Sequence, residues 1–237
     1  MSLVNSAKLV LAPPHPAGRL FLWSALAVFL LGLLIWLPLA WLALIFGLFC
    51  LYFFRDPERV LSLVSGAVLA PADGHVTIVD HAVPPAELGL GPMARPRVCI
   101  FLSVLDVHVN RMPVAGVVTR VAYRPGAFLN ASLDKASDEN ERNALALRLP
   151  DGREMAVVQI AGLIARRILC DAREGDAVLA GSRFGIIRFG SRTDLYLPQG
   201  TVPLARVGQT MIGGETVVAV LEPLAAATPP IGPVLAP

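Results

Sequence analysis

Four short segments hold residue types that can do chemistry together: PADG (71–74), DVHVNRMP (106–113), KASDENERN (135–143) and RFGSRTDLYLP (188–198). They supply a carboxylate (Asp73), an imidazole (His108), a guanidinium (Arg111) and a hydroxyl directly after a glycine (Gly190–Ser191). A serine hydroxyl is a weak nucleophile until a base takes its proton. An Asp–His–Ser set keeps the imidazole in the right tautomer and stabilises its charged form. Such sets are defined by geometry, so the chain order Asp73, His108, Ser191 is no objection. Singly, each residue has an ordinary explanation. Gly-Ser is most often a turn, Asp73–Gly74 between two apolar runs is a hairpin signal, and His108 sits in an alternating Val/His/Val strand. Gly181–Ser182–Arg183 also echoes Gly190–Ser191–Arg192, so chemistry alone leaves either serine eligible.

Taken together and in this order, the four segments resemble the short bacterial form of phosphatidylserine decarboxylase, from about Arg55 to Glu222. The resemblance implies a proenzyme that cuts itself between Gly190 and Ser191, and RTDLYLP after Ser191 selects that serine over Ser182. Ser191 would attack the carbonyl of Gly190, and elimination would leave a covalent pyruvoyl group capping the 47-residue fragment Ser191–Pro237. Glycine suits the tight backbone geometry that this attack needs. The implied catalytic residues are Ser191, His108 as base and Asp73 as the carboxylate orienting it. The ketone at 191 would form a Schiff base with the substrate amine and act as an electron sink, turning phosphatidylserine into phosphatidylethanolamine. No metal or diffusible cofactor is implied. Long-form relatives carry a second histidine where this chain has Arg111; either His108 does both jobs here, or Arg111 helps bind a carboxylate or phosphate of the substrate. Arg166, Arg167, Arg183, Arg188 and Arg192 are further phosphate candidates, with surface solubility the ordinary role for most.

The elements that must position these residues read as a membrane anchor followed by a β domain. No charged residue occurs from Leu20 to Phe54. Thirty-five helical residues would reach roughly 50 Å, against a hydrocarbon core of about 30 Å, and Pro38 interrupts the run. Two short helices, about Leu20–Trp36 and Leu39–Phe54, are expected as a transmembrane hairpin. Lys8 and Arg19 precede it and Arg55 and Arg59 follow, so the positive-inside rule puts the catalytic part on the cytoplasmic face of the cell (inner) membrane. A single tilted span and a cleaved signal peptide are the rival readings. Downstream, Val/Ile-rich runs bounded by Gly, Pro or Asp predict a mainly β fold, an antiparallel sandwich or barrel-like domain. ASLDKASDENERNALALRL (131–149) reads as a loop or short helix. The expected division is 1–19 N-terminal arm, 20–54 anchor, 55–222 β-rich decarboxylase domain and 223–237 flexible tail. Phe128 and Leu129 could form an apolar loop tip touching the membrane.

From Arg55 onward 18 basic residues face 18 acidic ones, which leaves no clustered basic footprint for nucleic acid. Cys50, Cys99 and Cys170 show neither a disulfide framework nor metal-ligand spacing. The expected partners are therefore a phospholipid substrate, the membrane, and fragment 1–190 with fragment 191–237; a homo-oligomer is left open. Two other functions fit the residues: a decarboxylase of another serine-headed lipid, such as an ether lipid, and a membrane-tethered β module that never cleaves.

Overall fold

Trp36, with φ −161° and ψ 107°, separates helix α1 (Arg19–Ile35) from helix α2 (Leu37–Phe53). Pro38 falls in the first turn of α2, where its missing N–H leaves no helical bond unmade. The two helices fold back on each other because small residues line the crossing: a Cβ on Gly32 would lie 2.5 Å from the Ala40 nitrogen. Pro16–Ile35 is long and apolar enough to cross a membrane, with a mean hydropathy of 2.1, whereas α2 has 17 residues. At ~1.5 Å per residue α2 reaches about 26 Å, slightly short of a bilayer core. The hairpin closes at its foot, where His15 N–H donates to Phe54 O (2.7 Å) and Asp56 N–H to Pro13 O (2.9 Å).

The computed structural model describes residues 12–62, 64–127, 139–162, 167–188 and 190–222. The apolar tip at Phe128 and Leu129, Arg166, and the tail 223–237 lie outside them. The β domain is built on an eight-strand antiparallel half-barrel rather than a sandwich. Its strands are β2 (Gly74–Ala82), β3 (Arg95–Leu102), β5 (Gly116–Arg124), β6 (Arg142–Arg148), β7 (Glu154–Ala161), β9 (Ala177–Val178), β11 (Ser191–Tyr196) and β12 (Thr210–Met211). They run in the order β12-β2-β3-β11-β7-β6-β5-β9. A three-strand sheet joins β4 (Val109–Arg111), β10 (Arg183–Ile187) and β8 (Ile168–Cys170), with β10 in the middle; β1 (Ala67–Leu69) pairs with β13 (Val217–Val220). Bulges at Val76/Ile78 and Val118/Arg120 bend the large sheet.

Strand β6 corrects the expectation of a loop or helix over its sequence. Leu145 and Leu147 enter the main core with Val98, Ile100, Val157 and Leu195, while Ala144 and Ala146 pack on the opposite face against Val158, Ile160 and Tyr196. Ala and Leu favour helix in isolation, but burial on both faces overrides that preference.

The same two-sided burial brings charge inside. Arg192 is buried and chelates Asp194 two residues along β11, with Nε to Oδ1 at 2.6 Å and a second bond of 2.7 Å. Arg97 on β3 approaches Asp194 at 3.8 Å and holds Asp80 at 2.7 Å. Arg192 is therefore a structural ion rather than a phosphate ligand or a surface residue. Arg183 likewise pairs with Asp56 (2.6 Å) and Glu58 (2.9 Å).

Candidate active site

A tight turn delivers the imidazole. Asp106 N–H donates to Ser103 O (3.0 Å) while the Asp106 carboxylate accepts from Ser103 N–H (2.8 Å). The chain then enters β4 with His108 fully buried just before it. His108 Nδ1 lies 2.9 Å from the carbonyl oxygen of Asp106. A carbonyl can only accept, so Nδ1 carries the proton and Nε2 keeps its lone pair. That lone pair accepts the N–H of Gly190 at 3.2 Å. Burial pushes the His108 pKa down to about 4, and the charge of Arg55 acts in the same direction, while Asp106 opposes both. At neutral pH the ring is an uncharged base.

The foot of the hairpin covers this imidazole. Phe53 at the end of α2 packs on it at a tilt of 35°, with ring centroids 4.3 Å apart. Cys50, Phe54, Val107, Val109 and Ile186 complete the cluster. Arg55 ties the helix end to the same turn: it donates to Tyr52 O (2.7 Å) and Leu105 O (2.8 Å) and lies 3.9 Å over the Tyr52 ring.

Gly190 and Ser191 sit where the chain enters the middle of the half-barrel. Ser191 is paired with Leu102 of β3 on one side and Ala161 of β7 on the other. Gly190 has φ +71°, a left-handed conformation that residues with a Cβ resist. Space is not the constraint, because a Cβ there would meet only Val104 Cγ2 at 3.8 Å. The Gly190 carbonyl oxygen accepts the N–H of Gly162 at 3.1 Å. This donor polarises the carbonyl of the Gly190–Ser191 bond and is placed to stabilise an oxyanion formed on it. Ser191 Oγ is buried and has no hydrogen-bond partner among the described residues. Ser182 also follows a left-handed glycine, Gly181 with φ +73°, but its hydroxyl is engaged, donating to Leu179 O at 2.7 Å.

Asp73 and Arg111 are engaged elsewhere. Both oxygens of Asp73 accept from Arg59 (2.7 and 2.9 Å), and one also accepts Gly213 N–H at 2.8 Å; no described bond joins it to His108. Burial raises the Asp73 carboxyl above its usual range, against the pull of Arg59 and the Gly213 amide. Arg111 is buried, donating to Gly181 O (3.0 Å), Pro57 O (2.8 Å) and Asp56 Oδ1 (3.1 Å). These bonds clamp the segment after the hairpin onto β4. Of the sequence-nominated residues, the structure thus brings together His108, Gly190 and Ser191. The Asp106 carbonyl and the Gly162 amide join them. Neither is nominated by the four segments as a donor or acceptor, because main-chain groups leave no mark in residue types.

Comparison with known proteins gives the family. Residues 46–219 match the phosphatidylserine decarboxylase family. The chain belongs to the phosphatidylserine decarboxylase family. It is 70% identical to a phosphatidylserine decarboxylase proenzyme of Granulibacter bethesdensis, across 94% of this chain and 91% of that one. Identity is 67% to the phosphatidylserine decarboxylase proenzyme of Gluconacetobacter diazotrophicus, across 92% and 99% of the two chains. It is 59% to that of Cereibacter sphaeroides, across 87% and 89%. Phosphatidylserine decarboxylases make phosphatidylethanolamine, and a proenzyme is a chain that matures by cleavage. The stretch that matches the family, 46–219, contains Gly190, Ser191 and His108.

Proposed function

We propose that this chain breaks its own Gly190–Ser191 bond and then decarboxylates phosphatidylserine to phosphatidylethanolamine at a membrane surface. The observation that carries the reading is the neutral His108 Nε2 held 3.2 Å from the Gly190 amide, next to a buried serine hydroxyl with no described partner. His108 takes the Oγ proton of Ser191 as Oγ attacks the Gly190 carbonyl carbon. The C–N bond breaks as the ester C–O bond forms, and His108 passes the proton it took to the leaving nitrogen, which becomes the free amine of residue 191 and leaves the imidazole neutral again. The Gly162 N–H holds the carbonyl oxygen as it gains charge. His108 next removes the α-proton of residue 191. The Cβ–O bond breaks, Gly190 leaves as a carboxylate, and water converts the dehydroalanine to a pyruvoyl group with release of ammonia.

The residues present fit such a group: the position is buried, its side-chain oxygen is unclaimed, and the base beside it is uncharged. Once formed, the pyruvoyl carbonyl supplies the electron sink that decarboxylation needs. His108 holds the proton that returns to the α-carbon of the lipid's serine, and Phe53 keeps water from the ring. Asp73 holds the PADG turn through Arg59 and Gly213. To orient the imidazole, as the family resemblance implies, it would first have to leave Arg59. The shared foot of α1 and α2 and the cations Arg19, Arg55 and Arg59 support a hairpin inserted from the cytoplasmic face of the inner membrane.

Denaturing electrophoresis with mass spectrometry tests the reading. The wild-type chain and Ser182→Ala should both give fragments 1–190 and 191–237, the smaller with a blocked N-terminus. Ser191→Ala should stay intact and inactive. Active protein that keeps the amino nitrogen at 191 refutes the proposal.

A further inference from the structure

Most buried cations of this fold have a carboxylate of their own: Arg59 with Asp73, Arg97 with Asp80, Arg111 with Asp56, Arg142 with Glu87 and Arg192 with Asp194. Arg188, half-buried, and Arg167, exposed, differ from these. No carboxylate among the described residues pairs with either, and the two are neighbours, Arg188 N–H donating to Arg167 O at 3.2 Å. Arg188 Nε is buried with no acceptor. Burial and the like charge of Arg167 both lower the Arg188 pKa. The like charge of Arg167 acts on Arg188 with no carboxylate among the described residues to offset it, and a buried unpaired N–H is costly. An anion would supply the counter-charge that the described residues do not.

Position says which anion. The Arg188 guanidinium lies 5.4 Å over the ring of Phe21 in the first turn of α1. Phe21 stacks on Phe54 (5.4 Å), Phe54 meets Phe53 edge-on (5.0 Å), and Phe53 packs at a tilt on His108 (4.3 Å). The cation and the imidazole are thus at opposite ends of one aromatic row across the foot of the apolar hairpin. Along the chain Arg188 is three residues before Ser191, so their Cα atoms are at most about 11 Å apart. A lipid headgroup that presents its serine to position 191 carries its phosphodiester a few bonds away, toward the acyl chains.

The geometry points to Arg188, supported by Arg167, as the site that takes the phosphodiester of the lipid substrate at the foot of the hairpin. Guanidinium suits the task because its planar fork bonds two phosphate oxygens at once. This assignment rests on the reading of the chain as a phosphatidylserine decarboxylase. It adds the residue that sets where the headgroup stops.

Two readouts test it on the full-length protein in detergent. The first is calorimetric binding of glycerophosphoserine, a headgroup phosphodiester without acyl chains, to Ser191→Ala with and without Arg188→Gln. Binding needs no cleavage, so it judges the site even if the proposed reaction fails. The second is the kinetics of the matured enzyme on a short-chain phosphatidylserine below its micellar concentration. Arg188→Gln should weaken glycerophosphoserine binding and raise KM roughly tenfold to a hundredfold, with kcat within about twofold because the reacting atoms are untouched. Arg188→Lys should recover part of the loss by restoring charge without the fork. If Arg188→Gln is not cleaved, Arg167→Gln should still show a smaller rise in KM. Unchanged binding and KM overturn the assignment. So does a defect confined to vesicles rich in anionic lipid, which would make the pair a surface anchor instead.

Discussion

Self-cleavage should survive acid well below the pH at which an ordinary histidine is protonated. His108 is fully buried beneath Phe53, and burial takes its pKa from 6.5 to about 4. The cleavage rate should therefore be flat down to about pH 5, halve near pH 4, and fall about tenfold for each further unit. The same shift bears on folding. Between about pH 6.5 and 4 the unfolded chain binds a proton at this site that the folded chain does not, so stability falls as pH drops through that window. The whole loss is about 3 kcal/mol, nearly complete by pH 4. Precursor made by cell-free synthesis in the presence of liposomes can be pulse-labelled, moved to buffers from acid to mildly alkaline, and followed by the appearance of the small fragment. Limited proteolysis of Ser191→Ala in the same buffers reports whether the β domain is still folded. A rate that halves near pH 6.5 while that domain resists protease would refute the argument, because it would mean that the imidazole is solvated when it acts.

Two further substitutions probe the frame around the site. Gly190→Ala has room for its methyl group but must hold a left-handed backbone at a cost of about 1–2 kcal/mol; the chain should fold, lose the alignment of its carbonyl with Gly162, and cleave several-fold more slowly in a labelled time course. Wild-type speed there would show that the φ of +71° is incidental. Asp194→Ala strips the chelating carboxylate from buried Arg192 and should lower stability by about 3–5 kcal/mol, measured as the denaturant midpoint of the Ser191→Ala background.

The pair of apolar helices was legible because it rests on side-chain type. Thirty-five uncharged residues with a proline near the middle give two helices, although the break falls at Trp36, since proline is tolerated one position into the next helix. Gly190–Ser191 and His108 were nominated by the family resemblance, and the structure places the imidazole against the Gly190 amide. Strand β6 was hidden because NALALRL has a helical composition, and its alternation matters only once neighbours cover both faces. The Asp73 pairing was hidden too. A carboxylate and an imidazole in one sequence invite each other on paper, yet Arg59, which follows the anchor, reaches Asp73 first. The proton position on His108 is set by a carbonyl two residues back, a relation that only the shape of the 103–106 turn reveals.

Strand β11 carries a mechanical consequence. It starts at Ser191 and is paired along all six residues with β3 and along the same six with β7. Severing the chain just before it frees no piece. The new end remains stitched into the interior of the sheet from both sides, like a plank nailed along both edges. A maturing chain can thus exchange a covalent link for a reactive terminus without loosening the mount on which that terminus stands. By the same token, the large piece made alone would lack an inner plank, and should regain its shape only when the small piece is supplied.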